Sequence, residues 1–354
     1  MQKKKSPSFI SKGQSTLGAW FKGGVMSSFM SSFMGMVMCT VMCTVMCNTS
    51  DAAAADNYPN RPVTMIVAFP AGGGTDIVAR KIAQRLSALW GKQVIVDNKG
   101  GAAGVIGTTY TAKAEPNGYT LMMATLGNLT MNQFIYPMEI NPVKALTPIT
   151  NVVGVNFVLV AHPSFPANTV KEMIALGKQK PGQYNYASSG SGGAPHLAIE
   201  LFKNMTGTDF VHIPYKGSGP SIADLLAGQV SFTMDSLVQT LPYIQSGQLK
   251  AIAVLGPQRS ALLPKVPTVA ESGAPGYEFV NWFGLVAPQN TPADIVAKIR
   301  ADVSTILSQP DMAEQLNKMG ADVINNSSEQ YGAQIAADAQ KWEKIIKLVG
   351  VKLE

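Results

Sequence analysis

Residues 56–354 alternate between short apolar runs and longer stretches with helical periodicity, and loops rich in glycine and serine lie between them. The run Val63–Phe69 contains several β-branched residues, which predicts a strand. After a glycine-rich loop, an apolar stripe from Val78 to Leu89 predicts a helix that begins with Thr75 as its N-cap and ends at Trp90. A second short strand is predicted at 93–96, and this strand–loop–helix–strand order predicts a mainly parallel α/β layer.

The same alternation continues to the C-terminus. It predicts further strands at 120–124, 157–161, 184–187, 210–213, 230–234, 249–255 and 283–287 and ends in three helices. The length fits two α/β lobes. If the chain crosses twice between them, residues 56–159 and 280–354 form lobe one, and residues 160–279 form lobe two.

Residues 1–55 have the composition of a targeting segment. Three lysines at 3–5 precede an apolar, methionine-rich stretch at 25–47, and the alanines at 52–55 offer small-residue cleavage sites. The sequence therefore predicts a signal peptide cleaved near Ala55 and export, as to a bacterial periplasm. A retained membrane anchor is the alternative, since the apolar stretch is long enough to span a bilayer.

All three cysteines, Cys39, Cys43 and Cys47, fall in this segment, so the remaining chain can form no disulfide, thiolate nucleophile or cysteine-ligated zinc site. Met46 is larger than the small residue usual before a lipid-modified cysteine, which disfavours lipidation of Cys47. The net charge of +6 arises from 28 Lys and Arg against 22 Asp and Glu, but five of the basic residues and one acidic residue lie in residues 1–55. Residues 56–354 contain no run of basic residues, which argues against a nucleic-acid partner.

Three loops between a predicted strand and a predicted helix stand out. They are 69–76 (FPAGGGTD), 188–196 (SSGSGGAPH) and 213–220 (IPYKGSGP). Backbone N–H groups at the start of a helix favour an anion. The first loop is neither a dinucleotide fingerprint nor a P-loop, because Ile77 occupies the third glycine position and no Gly-Lys-Ser/Thr follows. A small carboxylate therefore fits these loops better than a nucleotide, although a tight turn capped by Thr75 explains the first loop equally well.

Few residues offer catalytic or metal chemistry. A serine nucleophile at Ser189 or Ser191 with His196 as base is the enzyme alternative, but neither serine fits G-x-S-x-G. The histidines at 162, 196 and 212 have no metal-ligand spacing, and His212 is interpreted as structural. Asp224 is either a solvated or capping residue or a ligand acceptor, and Asp235, which follows a predicted strand, is either an N-cap or a site residue.

Taken together, seven segments resemble the Bug-type extracytoplasmic receptors, the substrate-binding components of tripartite tricarboxylate transporters. The matching segments are 58–62 (YPNRP), 69–76 (FPAGGGTD), 180–190 (KPGQYNYASSG), 213–217 (IPYKG), 224–230 (DLLAGQV), 264–273 (PKVPTVAESG) and 282–288 (WFGLVAP). They follow the order and spacing of that family across essentially the whole mature chain.

The resemblance implies a type II periplasmic binding protein fold, with two α/β lobes joined by a hinge and a ligand cleft between them. It implies no catalysis and no cofactor, a small carboxylate as ligand, a monomer, and delivery to transporter membrane subunits or to a sensor. Carried over residue by residue, it implies ligand contacts from Phe69, Ala71, Gly72, Gly73, Thr75, Asp76, Thr125, Asn128, Ser188, Ser189, Gly190, Ser191, His196, Lys216 and Asp235.

The chain departs from the family pattern at the second glycine-rich loop, where Asn98–Gly104 (NKGGAAG) replaces the usual Asn-Arg-Pro-Gly-Ala-Gly-Gly, and at Gly74, which replaces a frequent proline. These changes lie in loops that shape the pocket and so bear on the identity of the ligand. A further alternative is a sensory effector module of the kind fused to DNA-binding domains in LysR-like regulators. A leader stands here in place of the helix-turn-helix, which argues against it.

Overall fold

Two mixed β-sheets organise the protein in a computed structural model that describes residues 57–351. The predicted signal peptide, its cleavage site and the three cysteines lie outside the described residues. The first sheet has the strand order β11-β4-β10-β3-β1-β2. Its strands are β1 (Val63–Val67), β2 (Val94–Asn98), β3 (Thr120–Thr125), β4 (Leu146–Val155), β10 (Asn281–Pro288) and β11 (Ala321–Val323).

The second sheet has the order β7-β6-β8-β5-β9. Its strands are β5 (Phe157–Ala161), β6 (Asn185–Ser188), β7 (Val211–Pro214), β8 (Phe232–Ser236) and β9 (Lys250–Val254). In each sheet three strands run parallel: β1 lies between β2 and β3, and β6 lies between β7 and β8.

The prediction of a mainly parallel layer is wrong in detail, because antiparallel strands join each parallel set. β10 runs antiparallel to β3 and β4, and β5 runs antiparallel to β8 and β9. The cause is the double crossing of the chain. β4, which no apolar run predicted, ends in the first sheet at Val155, and β5 begins in the second at Phe157. The chain then returns to the first sheet in β10.

The change of sheet therefore takes place at Asn156, and the return precedes Asn281. The predicted boundary between residues 159 and 160 falls inside β5, whose five residues all pair within the second sheet. The predicted boundary between 279 and 280 lies one residue before β10. The assignment of the segments to two lobes stays a prediction.

Helices connect the parallel strands and cover the sheets. They are α1 (Gly74–Trp90), α2 (Val105–Ala112), α3 (Pro142–Ala145), α4 (Val170–Gln179), α5 (Ala194–Thr206), α6 (Ser218–Leu226), α7 (Leu237–Gln245), α8 (Ala293–Leu307), α9 (Pro310–Asn317) and α10 (Ser328–Val349). A 3₁₀ turn at Ala102–Gly104 precedes α2, and a π-helical turn at Gly127–Met131 follows β3.

The long C-terminal helix α10 packs against elements of both sheets. It begins with a capping box, in which the Ser327 hydroxyl accepts from the N–H of Gln330 and the Gln330 side chain accepts from the N–H of Ser327. Its apolar face packs against β4 and against α5 of the second sheet. Trp342 meets Phe279 edge to face with ring centroids 5.4 Å apart. A single hydrophobic cluster consequently extends from the first sheet to one face of the second.

Candidate functional site

A narrow cavity of about 40 Å³ lies at the carboxyl ends of the parallel strands of both sheets. This inner cavity is lined by Phe69, Gly73, Gly74, Thr75, Ala103, Thr125, Gly127, Phe157, Ser189, Gly193, Ala194, Pro195, Ser218, Asp235, Ser236, Asn281 and Phe283. A wider outer chamber of about 260 Å³ shares Phe69, Ala103 and Ser189 with it. Ligands of open α/β sheets bind at this end of the strands.

Four helices begin at the wall of the inner cavity. Gly73 is the N-cap of α1, Gly193 is the N-cap of α5, Ser218 is the first residue of α6, and Ser236 is the N-cap of α7. Each N-terminus carries about half a positive charge and N–H groups without helical partners. No Lys or Arg is among the described residues that line this cavity. The wall is thus built to attract an anion with backbone dipoles rather than with basic side chains.

The first loop is held in place by Asp76. Its carboxylate accepts hydrogen bonds from the Gly72 N–H (3.0 Å), the Arg80 guanidinium (2.9 Å) and the Asn98 amide (2.9 Å). Burial alone would raise the pKa of Asp76, but these hydrogen bonds hold it below its ordinary value of 3.8. Asp76 therefore fastens the loop to the end of β2 and does not line the inner cavity or the outer chamber.

The prediction that Thr75 caps α1 is wrong. The N-cap is Gly73, with φ −78° and ψ 164°, and no side chain caps it. Thr75 lies inside the first turn, where it lines the inner cavity. A glycine at the cap leaves room in front of the helix N-terminus, whereas a side chain there would fill part of the site.

The second loop rests on a stack of two histidines. His196 in α5 and His212 in β7 lie with ring centroids 3.9 Å apart and planes 5° apart. The Gly192 N–H donates to Nδ1 of His196 at 2.8 Å, and Ser188 Oγ lies 2.6 Å from Nε2 of His212. The interpretation of His212 as a structural residue agrees with this geometry. His196 also fixes the loop from behind, since it lines neither the inner cavity nor the outer chamber.

The contact between Ser188, at the start of this loop, and His212 in β7 does not suit a hydrolase. Ser188 is fully buried and lines neither the inner cavity nor the outer chamber. Its hydroxyl also accepts from the Gly190 N–H at 3.2 Å. A nucleophile must reach a substrate carbonyl, and Ser188 has no access to one here.

We expect the free energy of unfolding to fall as the pH is lowered from 6.5 toward 4. Burial, with a smaller contribution from Lys203, lowers the pKa of His196 from 6.5 to about 4. Between these pH values His196 is protonated in the unfolded chain but neutral in the folded protein. The free energy of unfolding therefore falls by about 3 kcal/mol because of His196. Asp235 acts in the opposite direction, because its raised pKa keeps a proton on the folded state below pH 6. Urea unfolding at a series of pH values measures the net slope.

The variant His196→Asn removes the contribution of His196 and leaves that of His212, whose pKa burial also lowers, to about 3. Asparagine can accept from the Gly192 N–H and cannot become charged. We expect a smaller loss of stability on acidification than in the wild type. His162→Asn is the matched control, since His162 lies in a loop of the second sheet, where its ring pairs with Ser164. If both variants lose stability as steeply as the wild type, His196 is not the group that titrates.

Asp235 is not an N-cap. It lies within β8, paired with Val158 of β5, and the N-cap of α7 is Ser236. The Asp235 side chain lines the inner cavity, and its Oδ1 accepts from the Ser236 N–H at 2.7 Å. The other ambiguous carboxylate, Asp224, accepts from the Tyr215 hydroxyl at 2.7 Å. Since Tyr215 lines the outer chamber, Asp224 supports that chamber from behind.

The structure divides the predicted ligand contacts into three groups. The inner cavity is lined by Phe69, Gly73, Thr75, Thr125, Ser189 and Asp235. The outer chamber is also lined by Gly190, Ser191 and Lys216. Neither space is lined by Ala71, Gly72, Asp76, Asn128, Ser188 or His196. Asn128 is typical of the last group, since its side chain accepts from the Thr125 N–H at 2.8 Å and so shapes the end of β3.

Several wall residues were not predicted from the sequence. Phe157, Asn281 and Phe283 come from β5 and β10, the strands that follow the two crossings between the sheets, and no motif marked these strands as cavity walls. Ala103 lines both spaces from a backbone conformation with φ 50°, which nothing in its neighbourhood predicts. Gly74, Ser218 and Ser236 stand beside predicted contacts, so a search for helix N-termini could have found them.

Neither metal chemistry nor a membrane span is indicated by residues 57–351. In this range no three His, Cys, Asp or Glu side chains are grouped so that they could hold a metal ion. In the same range no helix combines the length and the apolar character needed to cross a bilayer.

Comparison with known proteins agrees with the geometry. Residues 78–351 match the family model described as tripartite tricarboxylate transporter family receptor. Protein BugT of Bordetella pertussis is 36% identical over 303 residues, which cover 85% of this chain and 93% of BugT.

Two solved structures are similar over their whole lengths. One, of an R. palustris protein with adipate, is 35% identical with a TM-score of 0.82 and covers 84% of this chain and 100% of its own. MatC from Rhodopseudomonas palustris with bound malate is 31% identical with a TM-score of 0.79, and covers 82% of this chain and 100% of its own. The chain therefore belongs to the family of tripartite tricarboxylate transporter receptors, with the two-lobed α/β fold of periplasmic binding proteins.

Proposed function

We propose that this protein is a solute receptor that binds a small carboxylate in the inner cavity and has no catalytic activity. The observation that carries the proposal is the convergence of four helix N-termini on one cavity. Among residues 57–351, no basic side chain lines this cavity. A carboxylate there accepts hydrogen bonds from N–H groups that would otherwise lack partners. Relatives with adipate and with malate support a ligand with carboxylate groups.

The sizes of the inner cavity and the outer chamber support an elongated acid that extends from one into the other. One carboxylate would lie in the inner cavity, against the starts of α1 and α5. The remainder of the ligand would point toward the outer chamber, where Lys216 offers a positive charge and the Ser191 loop offers backbone groups. Discrimination among acids would then depend on a few contacts worth roughly 1–3 kcal/mol each.

Capture of the ligand would involve closure about the two crossing strands. In this structure, glycines of one sheet's loops meet the loops of the other at short range. A Cβ atom on Gly217 would lie 2.7 Å from Pro70, and one on Gly190 would lie 3.6 Å from Ala103. A ligand that contacts both sides binds the closed arrangement better than the open one and shifts the population toward it.

The same proposal places the protein outside the cytoplasm as a monomer, with residues 1–55 removed as a signal peptide. It would present its ligand to the membrane subunits of a tripartite tricarboxylate transporter or to a sensor. The composition of the leader and the family support this location.

Thermal-shift measurements on the purified protein, stripped of ligand by unfolding and refolding, test the proposal. We expect stabilisation by one or more of adipate, malate, succinate and aspartate, because a ligand at 100 times its Kd adds about 2.7 kcal/mol. Glucose and putrescine, which carry no carboxylate, serve as controls. Stabilisation by the controls but by none of a broad set of acids would contradict the assignment of a carboxylate receptor.

A further inference from the structure

The inner cavity contains the carboxylate of Asp235, which would repel a bound anion if it were ionised. Of the described residues that line this cavity, Asp235 alone carries an ionisable side chain. It is 3% exposed. Its Oδ1 accepts from the Ser236 N–H, whereas Oδ2 has no hydrogen-bond partner among residues 57–351. A buried acceptor left in this state costs free energy that a ligand could recover.

The charge of Asp235 also restricts which ligands can bind beside it. A ligand carboxylate and an ionised Asp235 in the same water-poor cavity repel each other, and no Lys or Arg among the described lining residues stands between them. Either Asp235 takes up a proton or the ligand brings a hydrogen-bond donor to Oδ2. The hydroxyl groups of Thr75 and Ser236, which also line the cavity, can donate to the ligand's own carboxylate.

On the basis of the receptor function proposed above, we propose that Asp235 selects carboxylates that carry a hydrogen-bond donor, a hydroxyl or an ammonium group, over plain diacids of the same length. The donor satisfies Oδ2, and the acid group faces the helix N-termini. A site built to hydrogen-bond a donor discriminates strongly against the analogue that lacks it, because its buried polar atom is then left unpaired.

Burial raises the pKa of Asp235 to about 6, and the neighbouring Ser218 hydroxyl and Ser236 N–H oppose the shift. A plain diacid should consequently bind together with a proton on Asp235 at neutral pH, and its affinity should fall as the pH rises above 6. An ammonium group would hold Asp235 ionised, so an amino acid should bind without taking up a proton. A hydroxyl can donate to either form.

Isothermal titration with succinate, malate and aspartate tests the inference, because these acids share one carbon chain and two carboxylates. Adipate and 2-aminoadipate repeat the comparison at greater length. At pH 7.5 we expect malate or aspartate to bind at least tenfold more tightly than succinate. If aspartate exceeds malate, the donor that fits is an ammonium group; if malate exceeds aspartate, it is a hydroxyl. Titrations in buffers of different ionisation enthalpy measure the proton taken up with succinate.

The variant Asp235→Asn keeps the shape of the side chain and removes its charge. We expect the affinity ratio between the donor-bearing acid and succinate to shrink to about threefold or less. Asp209→Asn, which makes the same charge change on the exposed surface beyond α5, should keep the wild-type ratio.

The wild-type comparison does not depend on whether either variant folds. Equal binding of succinate, malate and aspartate by the wild type, or an unchanged ratio in Asp235→Asn, would overturn the role of Asp235 and leave the receptor function standing. Failure of all five acids to bind, together with stabilisation by none of the acids in the thermal-shift panel, would overturn both.

Discussion

Replacing Gly74 by valine is expected to lower the affinity for a small carboxylate at least 100-fold while the protein stays folded. Gly74 is the first residue of α1, and a Cβ atom on it would lie 2.6 Å from Oγ of Ser236, the last residue of β8, and 3.6 Å from Cβ of Val238 in α7. The two branches of valine would hold the loops apart, so the ligand would keep the contacts of one side only. A 100-fold loss corresponds to about 2.7 kcal/mol. Titration of the tightest acid from the panel measures it.

A milder pair of changes is the control for this prediction. Gly74→Ala retains the close approach to Ser236 Oγ, and the second change Ser236→Ala removes that atom. The nearest remaining contacts would lie at 3.6 Å, an ordinary van der Waals separation. The double variant should therefore bind within about threefold of Ser236→Ala alone. Wild-type affinity in Gly74→Val would show that closure at this contact is not needed for binding.

Replacing Gly284 by alanine is expected to cost about 3 kcal/mol of stability or more. Gly284 lies in β10, between β3 and β4 at the centre of the first sheet. An added Cβ would overlap the ring and hydroxyl of Tyr331, which is fully buried at the start of α10. Overpacking of a well-filled core typically costs 1–3 kcal/mol, and here both partners belong to rigid elements. The urea midpoint of the purified variant measures the loss.

Two further variants check that cause. With Tyr331→Leu in the background, the added methyl group meets a smaller side chain, so the double variant should lose less than the sum of the two single losses. Gly332→Ala places a methyl group one residue after Tyr331, at 3.5 Å from Pro148, and should stabilise α10 by up to about 1 kcal/mol. Additive losses in the first pair would show that the clash with Tyr331 is not the cause.

The local order of strand, loop and helix could be predicted from the sequence. Apolar runs and helical periodicity placed β1, α1 and β6 within a few residues of their observed bounds. Because a helix that follows a strand must begin at the strand's carboxyl end, the loops at 69–76, 188–196 and 213–220 located three of the four helix N-termini from residue pattern alone. The resemblance of seven segments to one family of receptors also agrees with the family that the comparisons show.

Contacts between distant parts of the chain could not be predicted in this way. The ten-residue strand β4 was missed because Pro148, Asn151 and Gly154 interrupt its apolar pattern. It leads into β5 with only Asn156 between the two sheets. The antiparallel strands follow from that crossing and from the return in β10, and no local pattern encodes either. For the same reason Phe157, Asn281 and Phe283 were not predicted as cavity walls.

The roles of single residues show the same division. The sequence by itself determined which residue types were available: glycines and hydroxyls at strand ends, few charges in the loops, and no cysteine after residue 47. Only the tertiary structure decided that Asp76 and His196 hold loops in place from behind while Asp235 faces the cavity. The physical reason is that capping and periodicity act over a few residues, whereas burial and an unsatisfied carboxylate oxygen depend on which strands the two crossings bring together.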